Sequence, residues 1–319
     1  MTRKGFMMSN RALAPKMLAL LTLSPLALLA PGQARAADGC QLTSLIVSGI
    51  SASYDPFDPS PAISPVQISA RTSGGDCGGA RLQMVLVNSQ TSPETGASAR
   101  LVQGSSAILT NVTIAGQAAP VVQETQAFTA NPASLPVGNA GSLAGNATLG
   151  MSVREGQVAR PGFYSASLQI AAQLVDRNGH VDSQMTVPVL LSLSVIPSMR
   201  LVGGNMRLID LGELTDNKES AQFAFTAYAN DDYALVVSSQ NGFQIKRRSS
   251  PNTPGVRYSP VLANASLSSA DSSGAMRAQF APPLGGIQHH QVSIRVGAVD
   301  GLAAGDYSDV MTLQIQPKI

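Results

Sequence analysis

The sequence predicts an all-β protein built as two sandwiches with Greek-key-like connections. Three observations predict it. Apolar residues recur with a period of two in many short runs, as in Phe223-Ala224-Phe225-Thr226-Ala227 and Met311-Thr312-Leu313-Gln314-Ile315, the mark of strands with one buried face. No run shows the helical period over a convincing length. Turn formers punctuate the chain, with 29 Gly and 20 Pro among 319 residues, the composition of many short strands joined by turns.

The first 36 residues read as a secretory signal. Arg3, Lys4, Arg11 and Lys16 precede or open an apolar run over 17–30, and Ala34-Arg35-Ala36 is a small-x-small cleavage site. The run is shorter than the roughly 20 apolar residues a membrane span requires. The remainder is long enough for two domains. Charged residues are only 13% of the chain and the net charge is +2, which excludes the basic face a nucleic-acid binder needs.

Cys40 and Cys77 are the two cysteines. In an oxidising compartment an isolated pair reads as one disulfide. They lack C-x-x-C spacing and a neighbouring histidine, which disfavours a redox or metal pair.

Along the first domain, 37–196, the pattern gives a strand after Cys40, and then Tyr54-Asp55-Pro56-Phe57, opening a proline-rich loop that cannot pair in a ladder. Strands follow at 66–70 and 81–87. Residues 88–150 are harder to read, with strand pieces at 107–109 and 112–114 and punctuation at Pro120, Pro132 and Pro136. Two apolar segments there, containing Pro120, Val121 and Val122, and Leu135, Pro136 and Val137, are candidate surface-binding fingers; the alternative is that both are short buried strands. A strand at 149–153 precedes the phrase Gly162-Phe163-Tyr164-Ser165, whose strand runs to 175. Asn178-Gly179 then turns the chain into a second apolar run at 187–195.

Ile196-Pro197-Ser198 marks the boundary to a second domain, 197–319. Alternating strands are expected at 223–229, 233–239 and 291–296, with a polar region over 246–275. The phrase of Gly162 returns as Gly305-Asp306-Tyr307-Ser308 and leads into a last strand through Met311, Leu313 and Ile315, with no further apolar run after it.

These residues resemble the spore-coat-protein-U-like domain of archaic (Csu-type) chaperone–usher pili. The resemblance is carried by Cys40, the Tyr54-Asp55-Pro56-Phe57 loop and Cys77, by the strand after Cys77, and by Gly305-Asp306-Tyr307-Ser308-Asp309. It implies two tandem immunoglobulin-like, pilin-type sandwiches, and an exported pilus subunit that passes through the periplasm to the cell surface. It also implies partners: a periplasmic chaperone and then a neighbouring subunit, each lending a strand, and an outer-membrane usher. The first domain has its own strand at 187–195 and reads as self-complete. The second reads as the strand acceptor, its groove lined by Met206, Leu208 and Leu211 and by Met311, Leu313 and Ile315. Only Ala37-Asp38-Gly39 precede Cys40 after the signal. That leaves no donor segment, and the expectation is a tip adhesin, meeting an abiotic or host surface through the first domain.

No residue pattern points to catalysis, a cofactor or a metal. His180 sits in a turn, and His289-His290 follow Pro282-Pro283 and Gly285-Gly286 and read as solvated loop residues. Lys246-Arg247-Arg248 reads as a solvated turn, and no serine stands in Gly-x-Ser-x-Gly. A soluble extracellular or periplasmic binding module, for carbohydrate or a surface, is the alternative function. Its sign would be a platform of exposed aromatics, and the chain has 4% aromatics and no Trp.

Overall fold

The computed structural model describes residues 39–58, 63–74, 77–88, 98–129, 131–138, 147–203, 206–249 and 253–318. The signal segment and residues 37 and 38 lie outside the described residues. The strands of the first half are β1 (Cys40–Val47), β2 (Ile50–Tyr54), β3 (Val66–Gly74), β4 (Arg81–Asn88), β5 (Ser98–Gln103) and β6 (Ser106–Ile114). They continue with β7 (Gln117–Ala118), β8 (Val121–Gln123), β9 (Ala133–Pro136), β10 (Ala147–Val153), β11 (Gly162–Val175) and β12 (Val181–Val195). The second half carries β13 (Met199–Val202), β14 (Phe223–Ala229), β15 (Tyr233–Ser239), β16 (Gln244–Arg247) and β17 (Val256–Leu262). It ends with β18 (Met276–Phe280), β19 (Ile287–Val296), β20 (Tyr307–Ser308) and β21 (Met311–Pro317). The fold is all-β, as the alternation predicts.

In the first half the main path of the sheet runs β1-β3-β10-β6-β5-β11-β12-β2. Its two end strands, β1 and β2, are separated by only Ser48 and Gly49. The sheet therefore curls until its ends meet and encloses one core. Leu82, Met84, Leu86, Leu101, Ile114 and Tyr164 are among the side chains buried there. The Cys40–Cys77 disulfide is present. Cys40 opens β1 opposite Gly74, the last residue of β3, so the bridge ties down the open end of that pair.

The β11–β12 hairpin is the longest pairing, from Gly162↔Val195 to Val175↔Val181. Its turn is wider than a two-residue Asn-Gly loop. The Asp176 carboxylate accepts the backbone N–H of His180 at 2.7 Å and of Asn178 at 2.8 Å. These bonds, that from His180 first, favour the charged carboxylate and hold its pKa below the ordinary carboxylate range. Gly179 supplies the left-handed φ of 88° that such a turn requires.

The second half has a three-stranded sheet, β18-β15-β21, and a six-stranded one, β13-β14-β19-β17-β16-β20. Among the described residues, every strand pairing falls within one half or the other. The link between them, Ile196-Pro197-Ser198, is held on both sides. Ile196 N–H donates to the Tyr54 carbonyl at 3.0 Å. The side chain of Asn230, 1% exposed, accepts from Ser198 N–H at 2.8 Å and donates to the carbonyls of Ile196 and Ala159.

Two readings of the sequence are corrected here. The region 246–275 is not a polar connector: it holds the end of β16 and all of β17, whose Val256, Tyr258 and Leu262 face the core. Arg257 and Ser259 take its outward face, and Pro260, which by sequence argues against a paired strand, is buried on the inner one. His289 and His290 do not sit in a loop. They lie in β19, where neighbouring side chains take opposite faces. His289 is on the outer face, with Nδ1 3.0 Å from Thr226 Oγ1. His290 is fully buried, its ring stacked on Phe225 and edge-on to Phe280.

Candidate strand-accepting site

The repeated glycine–tyrosine phrase marks the same device in both halves. Gly162 and Gly305 have φ of 144° and 155°. Two residues later, Tyr164 Oη donates to the Arg160 carbonyl at 3.0 Å, and Tyr307 Oη to the Ala303 carbonyl at 2.8 Å. A tyrosine tied to backbone just upstream fixes the corner where an immunoglobulin-like chain enters a strand. After the corner the sequences realign at Leu168-Gln169-Ile170 and Leu313-Gln314-Ile315, with Asp309 and Val310 as a two-residue insertion. An insertion of two keeps every side chain on its own face. Asp309 anchors the insertion, accepting from Tyr258 Oη at 2.6 Å, from Asn241 N–H at 3.1 Å and from Ser239 Oγ. Burial, and then the Asp309 bond, hold the Tyr258 phenol well above its ordinary range.

The two strands differ in their edges. β11 is paired on one side by β12 and on the other by β4 and, at Ser165, by β5. Among the described residues, β21 is paired with β15 alone. In the first half β12 runs antiparallel to β11, placing Val189 opposite Leu168 and Val187 opposite Ile170. It also runs parallel to β2, from Leu191↔Ile50 to Val195↔Tyr54. It fills the slot between β2 and β11.

The second half has the walls of that slot. β13 pairs with β14, as β1 pairs with β3. The chain then leaves the sheet at Gly203, where φ is 157° and a Cβ would stand 2.9 Å from that of Phe225. Residues 206–214 correspond to β2 but form no ladder. Met206 and Leu208 are 92% and 95% exposed. Leu211 is half-buried beside Ile209, Leu214, Met311 and Tyr307. Leu313 and Ile315 are half-buried with Met199 and Leu201 of β13. β13 and β21 lie near each other without pairing.

Burial reports the same incompleteness. The first half's core has thirty-two buried and eleven partly buried apolar residues among those described. The second half's two clusters have eight and five buried residues, each with eight partly buried ones around them. An edge strand with unpaired backbone groups, flanked by half-covered apolar side chains, recruits another strand. Completing the burial of one Leu or Ile contributes about 1 kcal/mol, on the scale of 1.5–3 kcal/mol for a whole side chain.

The polar cluster under these walls is closed. Tyr233 Oη donates to Gln288 Oε1 at 2.8 Å and lies 2.8 Å from His290 Nε2. Burial pushes the Tyr233 phenol up to about 12 and the His290 imidazole down.

The other residues singled out in the sequence fall elsewhere. Val121 and Val122 belong to β8, which runs parallel to β4 at Leu86 and Val87. Leu135 and Pro136 belong to β9, antiparallel to the other end of β4. Val137 is buried, Pro120 and Leu135 are half-covered, and Pro136 is exposed. These segments form sheet edge rather than free-standing fingers. Lys246 and Arg247 lie in β16, paired with Ser308 and Tyr307. Sequence reasoning missed that Met199 and Leu201 pack with Leu313 and Ile315, although their alternation was visible. It also missed Asn230 and the burial of His290, which only the pairing of β14 with β19 makes explicable.

No family model matches the sequence, and no curated protein matches it. Solved structures similar in fold include the CsuC–CsuE chaperone–tip adhesion subunit pre-assembly complex of Csu pili from Acinetobacter baumannii. That match has 14% identity over 86% of this chain and 100% of that one, with a TM-score of 0.43. CfaE, the adhesive subunit of CFA/I fimbria of enterotoxigenic Escherichia coli, matches at 10% identity over 85% of this chain and 92% of its own, with a TM-score of 0.32. A chaperone–tip adhesin complex of CFA/I fimbriae matches at 10% identity over 85% and 96%, with a TM-score of 0.30. At these scores the architecture rests on the strand pairings themselves.

Proposed function

We propose that this chain is an exported structural and adhesive subunit of a chaperone–usher pilus, assembled by donor-strand complementation, with the second half as acceptor. One observation carries the reading: β21 is paired along one edge, whereas its counterpart β11 is paired along both. The slot that β12 fills in the first half is open in the second, and a strand from another molecule can enter it. The donor runs antiparallel to β21 and presents alternate apolar residues to Leu313 and Ile315, as β12 presents Val189 and Val187. In the periplasm a chaperone supplies that strand, and after handover at the usher a neighbouring subunit does. The first half, whose own strand fills its slot, stands outside the exchange and is free to meet a surface. That is the position of a tip subunit.

The test is export with and without the cognate chaperone. The reading expects a stable chaperone complex, and degradation or aggregation of the second half without it. Stable, monomeric accumulation in the absence of any chaperone contradicts it.

A further inference from the structure

The short strand β13 has two faces with different duties. Met199 and Leu201 point into the half-covered apolar cluster with Leu313 and Ile315. Arg200, between them, points the other way. Its guanidinium carbon lies 4.7 Å from the Tyr228 ring centre and 5.9 Å from that of Phe57. Tyr228 belongs to β14, but Phe57 belongs to the first half, where its N–H is held by the Asp55 carboxylate at 2.9 Å. The two rings also meet edge-on at 5.7 Å. The same small region contains Asn230 and its bonds to Ser198, Ile196 and Ala159. At Gly286, with φ of 73°, a Cβ would meet Val158 at 2.7 Å and Phe57 at 3.0 Å. The joint between the halves is thus built around the start of β13.

β13 is also an end strand. It is bonded to β14 along one side, and among the described residues its other side is unpaired. Its position is set by the joint on its outer face and by the groove's apolar cluster on its inner face. Whatever orders one face favours the other, and by linkage the effect is reciprocal.

We propose that β13 couples the groove to the joint: a strand bound in the groove stiffens the connection between the two halves. The proposal rests on the second half being a strand acceptor. Mechanically, the joint that Asn230, Arg200 and Phe57 already form would be held more firmly once the subunit is assembled. Arg200 is a positioning residue here, acting through Phe57 and Tyr228.

The test uses the full chain, refolded at low concentration, with spin labels at Ser167→Cys and Ser259→Cys, exposed sites on the two halves. The probe is a synthetic peptide of residues 181–195, the strand that fills the corresponding slot in the first half. The expected result is peptide binding together with a narrower distribution of label distances. Arg200→Ala should lose the narrowing and bind the peptide about two- to five-fold more weakly, the range a cation–π contact commands. Phe57→Leu, on the opposite side of the joint, should do the same, which guards against a local folding defect in β13. Binding without narrowing overturns the coupling and leaves the acceptor reading intact. Equal narrowing in wild type and both variants also overturns it. Failure of the peptide to bind removes the acceptor reading, and the coupling with it.

Discussion

Tyr164 and Tyr307 donate the same hydrogen bond, each to the carbonyl of the residue four positions upstream, at 3.0 Å and 2.8 Å. Their surroundings differ. Tyr164 is fully buried, whereas Tyr307 is half-exposed. The shared corner is followed by strands that have, among the described residues, different numbers of partners, and on that difference the proposal of an open second sandwich rests.

Removing each hydroxyl should therefore have unequal cost. Tyr164→Phe removes a part-buried hydrogen bond from a fully buried ring and should destabilise the first half by about 1 kcal/mol. Tyr307→Phe leaves a carbonyl that water can reach and should cost less than about 0.5 kcal/mol. Urea midpoints of the two variants check this, and equal shifts would refute the difference in burial.

The Cys40–Cys77 bridge should be formed in the exported protein, closing the end of the β1–β3 pair. Non-reducing mass analysis should find no free thiol. Replacing both cysteines by serine should lower the stability of the first half by about 2–4 kcal/mol.

The chain's sensitivity to mild acid should trace to His290. Burial, with a smaller push from His289, lowers its affinity for a proton in the folded state. The unfolded state then binds more protons below its ordinary value near 6.5. The stabilisation is full above about 6.5 and is lost as the pH falls from there through the folded-state value. His180 and His289 are exposed and remain in the comparison protein. His290→Phe should flatten the pH dependence of the urea midpoint between about pH 7.5 and 5, and an unchanged slope would rule out His290 as its source.

Much of the architecture was legible because period-two alternation is a local property. β14 and β15 run over 223–229 and 233–239, as the alternation alone placed them. β17 does alternate, with Arg257 and Ser259 facing out and Val256, Tyr258 and Leu262 facing in, but the alternation is short and interrupted by Pro260, which by sequence argues against a paired strand; its place is set by pairing with β19. His290 was misplaced because the glycines and prolines before it signal a loop, whereas its burial depends on Phe225 and Phe280 in other strands. The half-buried face of β21 was legible as the Leu313 and Ile315 alternation. Of Met206, Leu208 and Leu211, expected to face it, only Leu211 packs near β21, and Met199 and Leu201 do so instead, because sequence gives apolarity but not the exit of the chain at Gly203.

A charge in the groove should block strand capture, whereas a charge on the opposite face of β21 should not. Leu313→Asp places a carboxylate among half-buried apolar side chains, and Thr312→Asp places it in solvent. Chaperone co-purification should be lost with the first and kept with the second.

The account's central claim is that the free edge of β21 receives a strand from another protein. A photo-crosslinking residue placed at Ile315, with the chaperone co-expressed in the periplasm, tests it most directly. The expected result is an adduct joining Ile315 to a chaperone strand, with none from a control at exposed Ser259. No adduct at Ile315, or equal adducts at both positions, would contradict the claim.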